Sequence, residues 1–181
     1  MDQRQMLERL VEPFPSPQVN WKPQTISRDG ARALAVAYID ARDAAERLDE
    51  VVGPANWAVD HKDVSGQMLT GIGLRHPETG EWVWKWDAGV VDREGDEAMS
   101  IKGSLSDGLK RAAVLWGVGR YLYRLPKTWV GYDSQKKRLA ETPALPRWAL
   151  PYGEAGAATR SDRPKDALRP ARIPEVAEKA A

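Results

Sequence analysis

The stretch Ser106-Asp-Gly-Leu-Lys-Arg-Ala-Ala-Val-Leu-Trp-Gly-Val-Gly-Arg-Tyr-Leu-Tyr123 decides much of the fold, because a helical pattern runs through it until Gly117 and Gly119 end the helix. The pattern extends back to Asp96, which can cap the first turn. At about 100° per residue, one arc is apolar and is expected to pack, while the opposite arc is polar. The apolar arc contains Ala98, Ile101, Leu105, Leu109, Ala112, Leu115 and Trp116, and the polar arc contains Lys102, Ser106, Asp107, Lys110 and Arg111.

The polar arc presents two adjacent cations, Lys110 and Arg111. Helix physics alone favours a solvated face on which Asp107 serves as an ion-pair partner at helical spacing. The alternative is that the cations contact an anionic ligand, and a nucleic-acid backbone suits such a pair. The helix by itself leaves both interpretations open.

Three segments upstream alternate between apolar and polar residues and are separated by turn residues, which predicts an antiparallel β-meander. The predicted strands are Trp57 to Val64, Met68 to Arg75 and Trp82 to Val91. In the third strand Trp82, Trp84 and Trp86 share one face. The favoured interpretation packs this row on the helices or on a neighbouring subunit, and the alternative is a platform on which bases stack.

The N-terminal part is predicted to begin with a helix from Gln3 to Leu10, followed by a proline-rich extended stretch, so that residues 1 to 27 form an arm. A long helix from about Asp29 to Val52 comes next and ends at Gly53-Pro54. The expected fold class is therefore α+β, with a helix, a three-stranded antiparallel meander and a helix in one domain over residues 28 to 150. Residues 151 to 181, rich in Ala, Pro and charge, are predicted to be a disordered tail.

Composition excludes several classes of protein. With a net charge of +1, the chain of 181 residues is not uniformly basic, so contact with phosphate requires local clustering of cations. The absence of cysteine excludes disulfides, thiolate catalysis and cysteine-ligated zinc. The N-terminus has no apolar signal-peptide core, and no segment approaches the roughly 18 apolar residues that span a bilayer. We therefore expect a cytoplasmic protein without a membrane segment.

The chain shows little sign of catalytic chemistry. It has two histidines, without metal-binding spacing, and neither a P-loop nor a nucleophile elbow. An acidic cluster could hold Mg²⁺ in a nuclease, but a solvated loop before a capped helix is the favoured interpretation. The cluster comprises Asp87, Asp92, Glu94, Asp96 and Glu97. We expect a binding protein rather than an enzyme, with neither cofactor nor metal.

Three segments together resemble the Rad52/22 family of single-strand annealing proteins, and its bacterial DNA-damage-response members in particular. They are Tyr38 to Trp57, Ser106 to Arg111 and Gly117 to Tyr123. Pro13 to Pro15, Trp21-Lys22 and Leu125 to Val130 also have counterparts, so the resemblance covers roughly residues 7 to 133.

The resemblance implies a homo-oligomeric ring or larger assembly that holds single-stranded DNA in a basic groove, without ATP. It implies a repair protein of the nucleoid that protects 3' DNA ends and promotes strand annealing in double-strand break repair, with other repair proteins as possible partners. Lys110 and Arg111 match the family's DNA-binding motif, and Lys102 lies on the same side of the helix. Arg42 and Arg120 complete the candidate DNA-binding residues, although a structural role is favoured for Arg120.

The chain departs from the eukaryotic family pattern at two positions, where Asp43 and Val114 stand in place of arginines. These departures favour DNA binding or end protection over strong annealing activity. Three alternatives stay open: a double-stranded-RNA-binding module, which shares the order of elements, a metal-dependent nuclease that uses the acidic loop, and a purely structural oligomer.

Overall fold

A computed structural model describes residues 1–89, 97–151 and 153. These residues form a mixed fold of helices and antiparallel sheets, which confirms the predicted α+β class. The helices are α1 (Gln3–Leu10), α2 (Ala41–Val52) and α3 (Glu97–Trp116). The strands are β1 (Asn20–Ile26), β2 (Arg32–Tyr38), β3 (Trp57–Val64), β4 (Gln67–Arg75), β5 (Trp82–Ala88), β6 (Thr128–Asp133) and β7 (Arg138–Leu139). Within the described ranges, every helix is too short or too polar to span a bilayer.

The predicted meander is confirmed as a three-stranded sheet in the order β3-β4-β5. Ser65 and Gly66, with φ of 55° and 79°, make the tight turn between β3 and β4. The third strand ends at Ala88, earlier than predicted, and residues 90 and 91 lie outside the described residues.

Helix α3 packs across β4 and β5, and Leu109, Ala112 and Trp116 of the predicted apolar arc pack in the core. The packed stripe is nevertheless shifted from the predicted one. Ile101 and Leu115, assigned to the packed arc, are 52% and 36% exposed, whereas Ser104 and Gly108 are buried. A Cβ on Gly108 would lie 2.5 Å from the Thr70 hydroxyl oxygen. Small residues therefore let the helix approach the sheet closely, which an apolarity pattern does not register.

The prediction of one helix from Asp29 to Val52 was wrong in its first half, since residues 32 to 38 form β2. The alternation of Ala33 and Ala35 with Leu34 and Val36 is that of a strand, with the alanines buried. Pairing with β1 on one side and β6 on the other overrides the helical propensity of alanine.

The second half of the predicted arm is β1, the first strand of a four-stranded sheet in the order β1-β2-β6-β7. The register of β1 against β2 shifts between Pro23 and Thr25, where proline cannot donate a ladder hydrogen bond. The strands β1 and β7 approach each other, so the sheet curls. This second sheet was not predicted. The tail predicted for residues 151 to 181 lies outside the described residues, except for Pro151 and Gly153.

The side chain of Arg47 on α2 fastens the N-terminal segment to the core. Its Nη1 donates to the carbonyls of Glu12 and Arg9 at 2.7 and 3.4 Å, and its guanidinium lies 4.2 Å from the ring centroid of Phe14. Burial lowers the pKa of Arg47, with Glu50 and Glu12 opposing the shift. The arginine thus satisfies carbonyls at the end of α1 while it covers an aromatic ring.

Replacing Arg47 with alanine is expected to destabilise the fold by about 2 kcal/mol, because part-buried carbonyls lose their donor and Phe14 loses its cover. Urea unfolding followed by circular dichroism measures this loss. Glu46→Ala, at an exposed position on the same helix, is the control and is expected to change stability by less than about 0.5 kcal/mol. Equal effects of the two substitutions would contradict the assigned role.

Candidate nucleic-acid interface

A groove of about 340 Å³ lies between the polar side of α3 and the strands β1 and β2. Asp107, Lys110, Arg111 and Val114 line it from α3 at helical spacing, so they share one side of the helix. Its ionisable lining comprises four cations and one carboxylate, together with three aromatic side chains. These residues are Lys22, Lys110, Arg111, Lys127, Asp107, Trp21, Tyr38 and Tyr123.

Tyr38 links the two walls of the groove. The ammonium groups of Lys22 on β1 and Lys110 on α3 lie 5.4 and 5.9 Å from the centroid of its ring. Each lysine is thereby drawn toward the ring face by a weak cation–π attraction. The tyrosine brings cations from two distant parts of the sequence to one site.

The two cations of the motif each have a carboxylate partner. Lys110 Nζ lies 4.0 Å from Asp107 Oδ1, which confirms the ion pair that helix spacing predicted. Nε and Nη2 of Arg111 donate to Oδ1 of Asp87 on β5 at 3.3 and 3.2 Å. The Arg111 side chain is still 41% exposed, so a phosphate can reach it beside Asp87.

Tyr123 stands at the rim of the groove, and the residue is 66% exposed. Desolvation raises the pKa of its hydroxyl, Arg111 opposes this shift, and Asp107 and Asp87 add to it. A tyrosine with its ordinary pKa of about 10 is already neutral at physiological pH, and the upward shift does not change this. Its hydroxyl can therefore donate a hydrogen bond at the rim.

The other candidate DNA-binding residues do not line the groove. Lys102 is exposed two turns before Lys110 on α3, and Arg42 is exposed in the first turn of α2. Asp43, which stands where the family resemblance has an arginine, accepts a hydrogen bond from the Asp40 N–H at 2.7 Å. It stabilises the beginning of α2. Val114, at the second departure, forms part of the apolar wall of the groove.

Arg120 lies outside the groove lining and holds the end of α3. Its Nε and Nη2 donate to the carbonyls of Val114 and Leu115 at 2.9 and 2.7 Å, and Lys85 Nζ donates to the Leu115 carbonyl at 3.0 Å. Desolvation lowers the pKa of both side chains, and the neighbouring Arg124 and Arg120, respectively, lower it further. These contacts support the structural role favoured for Arg120.

Lys22, Tyr38 and Lys127 line the groove but were not among the candidate binding residues. Lys22 and Tyr38 belong to β1 and β2, which the sequence pattern did not identify as a sheet. The family resemblance includes Trp21-Lys22 and Leu125 to Val130. That resemblance was the signal in the sequence that could have identified Lys22 and Lys127 as binding residues.

The acidic cluster considered as a metal site is only partly described. Asp87 is paired with Arg111, while Asp92, Glu94 and Asp96 lie outside the described residues, as does the side chain of Glu97. Among the residues that the structure describes, no group of three histidine or acidic side chains could hold a metal ion.

The tryptophan row lies on the face of the three-stranded sheet that is turned away from α3, so packing on that helix was a wrong expectation. A Cβ on Gly71 or Gly73 would lie 2.6 Å from the ring of Trp86 or Trp84, respectively. The indoles therefore lie over the glycine backbone of β4, with the Trp84 and Trp86 centroids 5.5 Å apart.

Comparison with known proteins places these features in a family. The family model described as Rad52/22 family double-strand break repair protein matches residues 2–140. The single-stranded DNA-binding protein DdrA of Deinococcus deserti is 43% identical over 147 residues, which are 81% of this chain and 71% of that protein. The protein of the same name from Deinococcus radiodurans is 40% identical over 147 residues, 81% of this chain and 68% of that protein. The chain belongs to the Rad52/22 family of double-strand break repair proteins.

Proposed function

We propose that this protein binds single-stranded DNA in the groove between α3 and the β1–β2 strands, and that it does so as a repair protein. The observation that carries the proposal is the lining, in which Lys22, Lys110, Arg111 and Lys127 outnumber the single carboxylate of Asp107. The two DdrA relatives are single-stranded DNA-binding proteins, which supports the choice of single-stranded DNA.

The groove binds the DNA backbone through its cations. A phosphate that reaches Lys110 or Arg111 displaces counterions from the DNA, and the gain in entropy favours binding. Arginine can present two parallel donors to a phosphate, whereas lysine acts as a point charge. Tyr38 and Tyr123 offer aromatic surface to bases without selecting a sequence.

Repetition of this groove in a homo-oligomer turns a weak site into a strong one, because each further contact with the same strand is intramolecular. A strand held along such an assembly is shielded from exonucleases at its 3' end and can meet a complementary strand. Binding energy suffices for both roles, so neither ATP nor a catalytic group is required. The protein then acts on chromosomal DNA, at the nucleoid and beside other repair proteins.

A competition experiment tests the proposal. Labelled oligodeoxythymidine bound to the protein is challenged with unlabelled single-stranded DNA, duplex DNA or duplex RNA, and fluorescence anisotropy follows its release. Single-stranded DNA is expected to compete best, and preference for duplex RNA would overturn the proposal. A 3'-labelled strand incubated with the protein and Mg²⁺ is expected to stay intact, and it is expected to resist a 3' exonuclease that is then added. Cleavage of the strand by the protein and Mg²⁺ alone would instead indicate that the protein is a metal-dependent nuclease.

Replacing Asp87 with asparagine is expected to tighten single-stranded DNA binding about two- to fivefold, because the carboxylate that competes with phosphate for Arg111 is removed. Anisotropy titration at fixed salt measures the change. Asp133→Asn is the matched control, since it removes the same charge from an ion pair with Lys136 away from the groove. Weaker binding by Asp87→Asn, or equal tightening by both variants, would contradict competition at Arg111.

A further inference from the structure

We propose that a base of the bound strand stacks on Trp129 of β6 where the strand leaves the groove, so that the DNA-binding surface continues along the outer face of β2. This inference rests on the proposed function and adds one contact to it. Trp129 lies outside the groove lining, and the residue is 41% exposed. An exposed indole beside a basic groove offers a flat surface to a base.

Strand pairing places Trp129 on the same face of the four-stranded sheet as the groove. It lies opposite Leu34 of β2, and residues that are directly paired across antiparallel strands point to one face. Because side chains alternate along a strand, Leu34 shares this face with Val36 and Tyr38, which line the groove. Ala33, between them in the alternation, is fully buried, so the face that carries Trp129 is the outer one.

Aromatic rings and cations alternate along this outer face. Two residues along β2 from Tyr38, the next row carries Lys22 of β1, whose ammonium group lies 5.4 Å from the centroid of the Tyr38 ring. Trp129 lies in the row after that, and Arg32 lies in the last row. At about 3.3 Å per residue, the rows of Tyr38 and Trp129 are about 13 Å apart. A single strand fits this alternation, because bases stack on rings and phosphates pair with cations.

The charge of this face selects the occupant. None of the described residues that strand pairing places in these rows is acidic. An apolar protein surface laid on Trp129 would have to desolvate Lys22 and Arg32 without a counter-charge, which is costly. The phosphates on either side of a stacked base supply that counter-charge, so single-stranded DNA is the fitting occupant.

The backbone at Trp129 is held in place by Arg32. Nη2 of Arg32 donates to the Trp129 carbonyl at 2.7 Å, next to the pairing of Leu34 with Trp129. Arg32 is itself exposed, so its remaining donors can reach a phosphate beside the stacked base. A platform that is fixed before DNA arrives loses little conformational freedom on binding, which favours affinity.

Substitutions at Trp129 test the stacking. Trp129→Ala and Trp129→Leu are expected to weaken single-stranded DNA binding about 5- to 50-fold, whereas Trp129→Phe is expected to stay within about threefold, because only a ring can stack on a base. The slope of log affinity against log salt is expected to stay unchanged, since no phosphate contact is removed. Trp82→Ala is the matched control, because it removes a similarly exposed indole, on a residue that is 44% exposed, from the other sheet. It is expected to change the affinity less than about threefold.

The length of the DNA locates the stacked base. Oligodeoxythymidines are lengthened one nucleotide at a time, and the shortest ones, which stay within the groove, are expected to bind Trp129→Ala and the wild type equally. The two affinities are expected to separate at the length at which the strand reaches Trp129. With 5-iododeoxyuridine as the nucleotide added at that length, irradiation is expected to crosslink the strand of the wild-type complex to Trp129, which mass spectrometry identifies.

Unchanged affinity of Trp129→Ala at every length, equal losses in Trp129→Phe and Trp129→Ala, or a smaller oligomer in Trp129→Ala would overturn the stacking. Circular dichroism confirms that the variants are folded. The crosslink uses the wild-type protein, so its absence from Trp129 overturns the inference even where a variant does not fold. The proposed function fails separately, since it requires that loss of Lys110 and Arg111 weakens binding whatever happens at Trp129.

Discussion

Replacing Lys110 and Arg111 together with alanine is expected to weaken binding of single-stranded DNA by about 10- to 100-fold near physiological salt. The two side chains lie side by side in the groove and supply half of its cations. Each phosphate contact on a single strand contributes about 0.7 to the slope of log affinity against log salt, so the slope is expected to fall by about 1.4 for each groove engaged. Anisotropy titrations at several salt concentrations measure both quantities.

The matched control for this double substitution is Lys136→Ala with Lys137→Ala in the hairpin between β6 and β7. It removes the same charge, but neither lysine lines the groove. The control is expected to change the affinity less than threefold, an effect of about 0.6 kcal/mol. Unchanged affinity of the Lys110 and Arg111 variant, with its oligomeric mass preserved, would reject the assigned groove.

Replacing Gly89 with alanine is expected to destabilise the fold by about 3 kcal/mol or more, as severe overpacking does. An added Cβ would lie 1.9 Å from the Ser104 carbonyl oxygen and 2.9 Å from the Gly108 nitrogen, both backbone atoms of α3. Because backbone cannot move aside like a side-chain end, α3 has to retreat from the sheet. Urea unfolding measures the loss, and DNA binding is expected to weaken with it because α3 carries Lys110 and Arg111.

Gly103→Ala on α3 is the matched control, since a Cβ there meets nothing within 4 Å. It is expected to stabilise the protein by about 0.5 to 1 kcal/mol, because alanine is the better helix former. Equal stability of the Gly89 and Gly103 variants would show that the close approach of α3 to the sheet is not required.

The sequence predicted the three-stranded sheet and the end of α3, because patterns among neighbouring residues specify both. Period-two alternation and the turn at Ser65 and Gly66 specify the β3–β4 hairpin, and both the alternation and the turn are local. Gly117 and Gly119, with φ of 103° and 66°, end α3 where the glycines predicted. Each of these features is encoded within a few neighbouring residues.

The four-stranded sheet could not be predicted in the same way, because its partners are distant in sequence. Leu34 pairs with Trp129, and nothing near residue 34 reveals that strand. An alanine-rich segment such as Arg32–Tyr38 has a local preference for helix, and only the neighbouring strands override it. The shift of the α3 packing stripe toward Ser104 and Gly108 was missed for a related reason, since it depends on the close approach at Gly89 and Gly108.

The candidate site divides in the same way, into residues that the local sequence predicts and residues that only the tertiary structure brings together. Lys110 and Arg111 were found because a local motif carries them, and Asp107, the ion-pair partner of Lys110, followed from helix spacing. Asp87, Lys22 and Tyr38 reach the pair only through strand pairing and the packing of α3. A binding groove assembled from three parts of the chain is a property of the tertiary structure.

The path of the DNA is the central claim, and electron microscopy of the protein with and without single-stranded DNA tests it most directly. We predict that the bound strand follows the groove between α3 and β1–β2, with phosphates beside Lys110 and Arg111 on successive subunits. A strand that instead lies along Trp82, Trp84 and Trp86, on the opposite face of the three-stranded sheet, would contradict this account.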